Sequence, residues 1–532
     1  MPLTEPLRSK PLTSEIMKHR LNAILVSSAL LACATAAGPK RPNILLILSD
    51  DQGYCELGSF MDFADPDSLG AMNPAKLRAI KKCTDERAPI EVCFEPARKC
   101  MPTVDSLAAE GMRFTSFYAA PTCAPARAAL MSGRYPQGFG IYANDDLENP
   151  RAAGMSLDVD LPVRLFKEAG YLTGISGKWH LGETQGYLPH ERGFDFFFGF
   201  CRAHTEKYNS KILQKNGQPV PADGWLADQI TDEAVSFLKQ AEAVNKPFFL
   251  HVAYNEPHGP VAQPPQPYID HFKSGSKIVD LHFATIYGMD CGIARILEQI
   301  KAMGQLDNTL IFYASDNGLA QASYHRGFRM SEYNVPVPGN GPFSGCKWTP
   351  WDGGVRTACI VKLPGGRHAS SDALVSMLDV MPTALDYAGI EAPAIMRFDG
   401  RSFLPILQGK SEGDPDRTLF WACDSKTPFG NFSEADGKLT KEFKAKGDQV
   451  ARQDKNPPAW YVRTPEWKLM GWDTNPPALI DIRNDLGEKH DMAAQHPEVV
   501  KDLSARFAAW FARQAKPMFY SETQWRKFNE VK

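Results

Sequence analysis

Four stretches of this chain are apolar without alternation: residues 43–48, 171–176, 247–254 and 308–315. Runs of this length and composition fit strands buried on both faces of a parallel sheet. Between and after them the pattern changes to helical spacing. Residues 228–240 place Ile230, Ala234, Phe237 and Leu238 on one face, 281–302 reads as a long helix, and 497–513 as a terminal one. Residues 467–470 and 478–483 read as short strands late in the chain. The expected fold is therefore α/β, a mostly parallel sheet with helices on both faces, plus a small C-terminal α+β domain with an antiparallel sheet.

Each long apolar run stops at polar residues of chemical interest. The stops are Ser49-Asp50-Asp51-Gln52-Gly53, Gly177-Lys178-Trp179-His180-Leu181-Gly182, Asn255-Glu256-Pro257-His258 and Asp316-Asn317-Gly318. Open α/β sheets bind ligands beyond the C-terminal ends of their strands, so these four groups are candidates for one site. Adjacent Asp50 and Asp51 would repel each other unless a cation or positive side chains hold them. Asp316 and Asn317 offer oxygen ligands suited to Ca²⁺ or Mg²⁺. Lys178 and His180 would point the same way across Trp179 if the chain stays extended. His251, inside its run, reads as a core histidine; His258, beyond the run, is the better catalytic candidate.

At 532 residues the chain can bury a large core and is expected to form two domains, 41–410 and 411–532, with a polar insertion at about 60–101. A net charge of −3 gives no reason to expect nucleic acid or a membrane surface as partner. Lys18, His19 and Arg20 precede an apolar run at 21–31 and then small residues, the pattern of a signal peptide over 1–37 with an N-terminal extension ahead of Met17. Leu30-Leu31-Ala32-Cys33 also fits a lipobox with Cys33 acylated; cleavage near Ala36 or Ala37 is the alternative. The expected destination is the periplasm or the outside of the cell, and no later run is long enough for a transmembrane helix. Eleven cysteines are present, and the grouping of Cys83, Cys93 and Cys100 favours at least one disulfide there.

Residues 121–134 read Pro-Thr-Cys-Ala-Pro-Ala-Arg-Ala-Ala-Leu-Met-Ser-Gly-Arg. Pro125 and the helix formers after it place Cys123 at the positive end of a short helix. This run closely resembles the formylglycine motif of the type I sulfatases, members of the alkaline-phosphatase-like superfamily. The hexapeptide 177–182, Arg192-Gly193-Phe194-Asp195, and Gly345-Cys346-Lys347-Trp348 with the Asp352-Gly353-Gly354-Val355-Arg356 that follows extend the resemblance.

The resemblance implies a sulfuric ester hydrolase. Cys123 would be oxidised to formylglycine by a formylglycine-generating enzyme or radical maturase, and its hydrate would attack the ester. Asp50, Asp51, Asp316 and Asn317, with the modified Cys123, would hold one divalent ion, Ca²⁺ ahead of Mg²⁺. Arg127 would hold the modified residue, Lys178 and Lys347 would bind sulfate, His258 would protonate the leaving group, and His180 would deprotonate the spent nucleophile. The natural substrate suggested by export is a sulfated carbohydrate, with His204, His325 and Arg326 as candidate sugar contacts. Residues 135–140 lack the histidine many relatives carry there. The alternatives are a phosphonate or phosphate monoester hydrolase of the same fold, or a non-catalytic protein that binds sulfated glycans.

Overall fold

The computed structural model describes residues 41–64, 90–144, 154–260, 262–320, 339–423, 459–471 and 476–516. Strand β1, Asn43–Asp50, is buried along its whole length. Its alternation sends Ile44, Leu46 and Leu48 to one face and Leu45 and Ile47 to the other. Both faces must then be covered, and both are. The second face packs against the helices Leu226–Ala243 and Lys277–Ala302. The first packs against the helix Cys123–Ser132 and, further along, the C-terminal sheet. Each Ile or Leu so enclosed contributes roughly 1.5–3 kcal/mol.

The remaining strands of the large sheet are β2 (Met112–Tyr118), β3 (Leu172–Lys178), β4 (Phe196–Phe200), β5 (Gln214–Lys215), β6 (Gln218–Pro219), β7 (Phe248–Pro257), β8 (Thr309–Ser315), β9 (Arg356–Lys362), β10 (Ala369–Ser371) and β11 (Val375–Ser376). Their order is β10-β2-β9-β8-β1-β7-β3-β4-β5-β6, with β11 also on β2. Strands β8, β1, β7, β3 and β4 run parallel, while β9 is antiparallel to both β2 and β8. Because β1 lies between β7 and β8, the C-terminal ends of the central strands meet at one edge. Gly177 makes the fit of β3 to β7 possible. It has φ +121°, and a Cβ there would lie 1.9 Å from the Ala253 carbonyl oxygen.

A second, antiparallel sheet follows: β12 (Leu419–Cys423), β13 (Ala459–Arg463), β14 (Trp467–Gly471) and β15 (Ala478–Asp481). Trp421, Tyr461, Leu469 and Leu479 from these strands join the same core as Leu46, as do Phe507 and Trp510 of the helix Pro497–Phe511. A buried charge network ties this sheet to the start of β9. Lys468 Nζ donates to Asp352 Oδ1 at 2.6 Å and to Glu488 Oε1 at 2.7 Å, and Glu488 Oε2 accepts the Asp352 N–H at 2.8 Å.

The described residues bear on three local readings. Cys93 and Cys100 are both buried and are not bonded to each other, and Cys100 Sγ donates to the Glu56 and Ala97 carbonyls at 3.3 Å. Cys83, with residues 65–89, lies outside the described residues. The described ends of the insertion pack inward: Phe60, Cys93, Ala97, Cys100 and Met101 belong to the core under β1. Lys178 and His180 also do not alternate. Strand β3 ends at Lys178, and His180 takes φ +58°, so the extended geometry that alternation requires is absent. No described helix is long and apolar enough to cross a membrane.

Candidate active site

Nine predicted residues converge beyond the strand ends. Asp50 closes β1 and Asp51 follows it in the left-handed region, φ 65°. A non-glycine residue held there costs roughly 1–3 kcal/mol, which the surrounding contacts must offset. Those contacts are specific: the Asp51 N–H donates to Asp316 Oδ1 at 3.2 Å, and Asn317 Nδ2 donates to Asp51 Oδ1 at 2.7 Å. Cys123 is the first residue of its helix, which is buried throughout and stops at Gly133 with φ 65°. Its Sγ lies 3.4 Å from Asp50 Oδ1 and accepts a bond from Lys347 Nζ at 3.1 Å.

Three cations interleave with three carboxylates. Arg127 grips Asp316 Oδ2 through NH2 at 2.9 Å and Nε at 3.2 Å, while its NH1 donates to the Lys178 carbonyl at 3.1 Å. Lys178 Nζ sits 2.6 Å from Asp50 Oδ2 and Lys347 Nζ 2.6 Å from Asp51 Oδ1. All six side chains are buried. Burial alone would raise Asp50, but Lys178, His258 and Arg127 hold it well below the usual carboxylate range. Asp51 is likewise lowered against burial, chiefly by Lys347. Asp316 goes the other way, to about 7, because burial and the neighbouring Asp50 outweigh Arg127. Burial and Asp316 push the Cys123 thiol up, against Lys178 and Lys347, so at neutral pH it is a thiol and not a thiolate.

His258 closes the site from β7. Its Nδ1 donates to the Gly259 carbonyl at 2.6 Å, which assigns the tautomer and turns Nε2 toward Asp51 Oδ2, 3.6 Å away. Burial lowers His258 to about 4 despite Asp51 and Asp50, so that approach is not an ion pair at neutral pH. The His204 ring lies parallel to it, centroids 5.9 Å apart. His325 and Arg326 lie outside the described residues. Within residues 135–140, Gln137 turns inward and donates to the Ala422 carbonyl at 2.7 Å. His251 bonds its Nδ1 to the Leu46 carbonyl at 3.3 Å and is a core residue.

The donor set fits a hard cation. Asp51 Oδ2 and Asn317 Oδ1 are buried and accept no hydrogen bond, and such orphaned oxygens are costly unless something positive meets them. One atom each of Asp50, Asp51, Cys123 and His258 lies within 4.8 Å of the others. The ligand-capable group is thus not purely oxygen as read from sequence, because folding brings a thiol and an imidazole to its edge. Asp316 is set against Arg127 and stands outside that four-residue group.

Sequence reasoning missed a layer behind Asp50. Asn255 Nδ2 donates to Asp50 Oδ2 at 3.2 Å and its Oδ1 accepts from Lys207 Nζ at 3.1 Å, in the amide orientation that satisfies both neighbours. Lys207 also pairs with Glu256 Oε1 at 3.2 Å. The signal for Asn255 and Glu256 was available, since they end a buried strand as Asp50 does. Lys207 sits in a polar segment and carries no local mark.

Residues 42–390 match the family described as Sulfatase. Over 529 residues the chain is 33% identical to the uncharacterized sulfatase YdeN of Escherichia coli (strain K12), covering 92% of this chain and 89% of that one. It is 32% identical over 430 residues to N-acetylgalactosamine-6-sulfatase of Mus musculus, covering 75% and 72%. The solved structure of Ps i-CgsB in complex with k-i-k-neocarrahexaose superposes with a TM-score of 0.71 at 24% identity, over 92% of this chain and 98% of that one. BT4656 in complex with D-Glucosamine-2-N, 6-O-disulfate gives 0.60 at 18%, over 91% and 100%. At those identities the two structures speak to the fold.

Proposed function

This chain belongs to the sulfatase family and is a sulfuric ester hydrolase, and we propose that its substrates are sulfate monoesters on carbohydrates. The observation that carries the reading is the ring of Arg127, Lys178 and Lys347 interleaved with Asp50, Asp51 and Asp316 around the Cys123 sulfur. The three cations face Asp50 and Asp51, both ionised, and Asp316, which is raised to about 7 and carries part of a charge at neutral pH, so the side chains come close to cancelling. A divalent cation on Asp50, Asp51, Asn317 and Asp316 would make the pocket net positive, and it would supply Lewis-acid polarisation there. Ca²⁺ is favoured over zinc because Asp50, Asp51 and Asn317 offer hard carboxylate and amide oxygens, two of them, Asp51 Oδ2 and Asn317 Oδ1, buried without a hydrogen bond. Oxidised to formylglycine by a formylglycine-generating enzyme or radical maturase, residue 123 would supply the nucleophile.

The chain's own residues then have distinct tasks. Lys178 and Lys347, buried where little water screens them, neutralise the sulfate oxygens. Arg127 fixes Asp316 and the helix start that presents residue 123. His258, with Nδ1 committed to Gly259, faces the departing oxygen through Nε2; neutral in the free site, it would have to take up a proton at Nε2, which the negative charge of bound sulfate favours, before delivering it to that oxygen. His180 takes the proton that lets sulfate leave, and His204, stacked on His258, lies where a sugar would approach.

Support for a carbohydrate substrate comes from the N-acetylgalactosamine-6-sulfatase likeness. Export through residues 1–37 would place the enzyme with such polymers, and cell fractionation tests it. Rates on a panel of defined sulfated sugars, beside aryl sulfate and aryl phosphate, test the substrate reading. A sulfated sugar should be turned over with the highest kcat/KM; phosphate or phosphonate esters outpacing every sulfate would refute it.

A further inference from the structure

Lys207 is almost wholly buried, and its ammonium has three N–H bonds to place. It has three acceptors. They are the Asn255 backbone carbonyl at 2.5 Å, Glu256 Oε1 at 3.2 Å and, in the assigned amide orientation, Asn255 Oδ1 at 3.1 Å. All belong to the dipeptide at the end of β7. Glu256 Oε2 in turn accepts the Asn255 N–H at 3.2 Å, and Glu256 is itself fully buried. Lys207 thus has no donor left for a substrate. Burial lowers Lys207 and raises Glu256, each moderated by the other. A buried pair of this kind contributes little net stability compared with an apolar pair of the same size, so its retention beside the site asks for another role.

That role follows from the amide. With Oδ1 held by Lys207, Asn255 can present only Nδ2 to Asp50, and it does so at Oδ2. Lys178 Nζ bonds the same oxygen at 2.6 Å, and Arg127 NH2 stands 3.7 Å from it. Oδ2 is therefore saturated by donors, while Oδ1 faces the Cys123 sulfur at 3.4 Å. Were the Asn255 amide reversed, its oxygen would face the Asp50 carboxylate and turn that carboxylate away. We propose that Lys207 is a positioning residue: through Asn255 it fixes which oxygen of Asp50 is offered to the divalent cation, and so sets cation affinity. The proposal rests on the reading of Asp50 as a cation ligand.

The test is Ca²⁺ titration of chelator-stripped full-length protein by calorimetry, with the Ca²⁺ dependence of Tm as a second readout. The variant is the double Lys207→Met/Glu256→Gln, which removes the pair without stranding a buried charge. Outer-layer partners of metal ligands are typically worth about 10–100-fold in affinity. Ca²⁺ affinity should fall at least tenfold, and kcat on an aryl sulfate should fall at low Ca²⁺ and recover at high Ca²⁺ with KM little changed. A general packing defect that leaves the chain folded would lower Tm by a similar amount at every Ca²⁺ concentration and leave the Ca²⁺ affinity unchanged. If the double variant does not fold, Asn255→Leu decides, since it keeps the Lys207–Glu256 pair and deletes the amide; the same tenfold loss is expected. Asp50→Asn separates the two levels. If it leaves Ca²⁺ affinity intact, the ligand reading fails. If it abolishes binding while the folded Lys207 or Asn255 variant binds Ca²⁺ within twofold of wild type, the positioning proposal alone is overturned.

Discussion

Replacing His258 by Ala separates proton donation from sulfate binding. Its imidazole is held by one bond, Nδ1 to the Gly259 carbonyl at 2.6 Å, and Nε2 is the only ring atom aimed at the carboxylates. Among the described residues no other histidine belongs to that four-residue group, and His204 stacks on His258 from outside it. General acid catalysis is typically worth roughly 10²–10⁴-fold, or about 3–5 kcal/mol of barrier at ~1.36 kcal/mol per decade. A sugar alkoxide is a poor leaving group and should lose most of that range. A nitrophenolate leaves with little help and should lose distinctly less. His180→Ala should behave otherwise, because releasing sulfate from the enzyme is common to both substrates. The assay is kcat and kcat/KM for both variants on nitrophenyl sulfate and on a carbohydrate sulfate, since a step after commitment is invisible in kcat/KM alone. Equal losses for His258→Ala on both substrates would refute the argument and make His258 a sulfate-binding group.

Lys468→Met keeps volume but strands Asp352 and Glu488, both buried, so unfolding in urea should show a loss of roughly 3–5 kcal/mol; a loss below about 1 kcal/mol would show that Arg356, 3.2 Å from Asp352 Oδ2, compensates the charge instead. Asp290, which accepts the Thr103 and Val104 N–H groups at 2.9 and 3.0 Å, is raised by burial from 3.8 to about 6. The folded chain therefore holds a proton that the unfolded chain releases, and this contribution is full below pH 3.8 and lost as pH rises through about 6. The stability cost of Asp290→Asn should accordingly shrink by up to about 3 kcal/mol from acid to neutral pH; a pH-independent cost would sink this. Mass spectrometry of protein from its native host should find residue 123 as formylglycine, and unmodified cysteine in active protein would refute the nucleophile assignment. Metal analysis of active protein should return about one Ca²⁺ or Mg²⁺ per chain, whereas stoichiometric zinc that survives chelation of calcium would reassign the site.

What the sequence by itself determined is whatever burial imposes locally. A strand covered on both faces must be apolar at every position, so β1, β3, β7 and β8 are legible as unbroken runs, and the polar residues that end them are legible as candidates. The long motif around Cys123 and the hexapeptide around Lys178 carry the family in the same way, because their residues are close in the chain. Strand β2 escaped notice because Arg113, Thr115 and Ser116 interrupt its apolar pattern. Strand β9 runs antiparallel between β2 and β8, and a pairing partner's direction leaves no mark on a strand's own residues.

Only the tertiary structure decided the contacts that turn candidates into a site. Lys347 reaches the sulfur of Cys123 across 224 positions, and Arg127 reaches Asp316 across 189. The left-handed turn at His180 broke an alternation that extended chain would have kept. The ammonium of Lys207, invisible in a polar segment, became part of the site only when the end of β7 was laid beside β1. Periodicity reports how much water a residue sees; which charge it meets is set by strand order and register, and those are properties of the whole sheet.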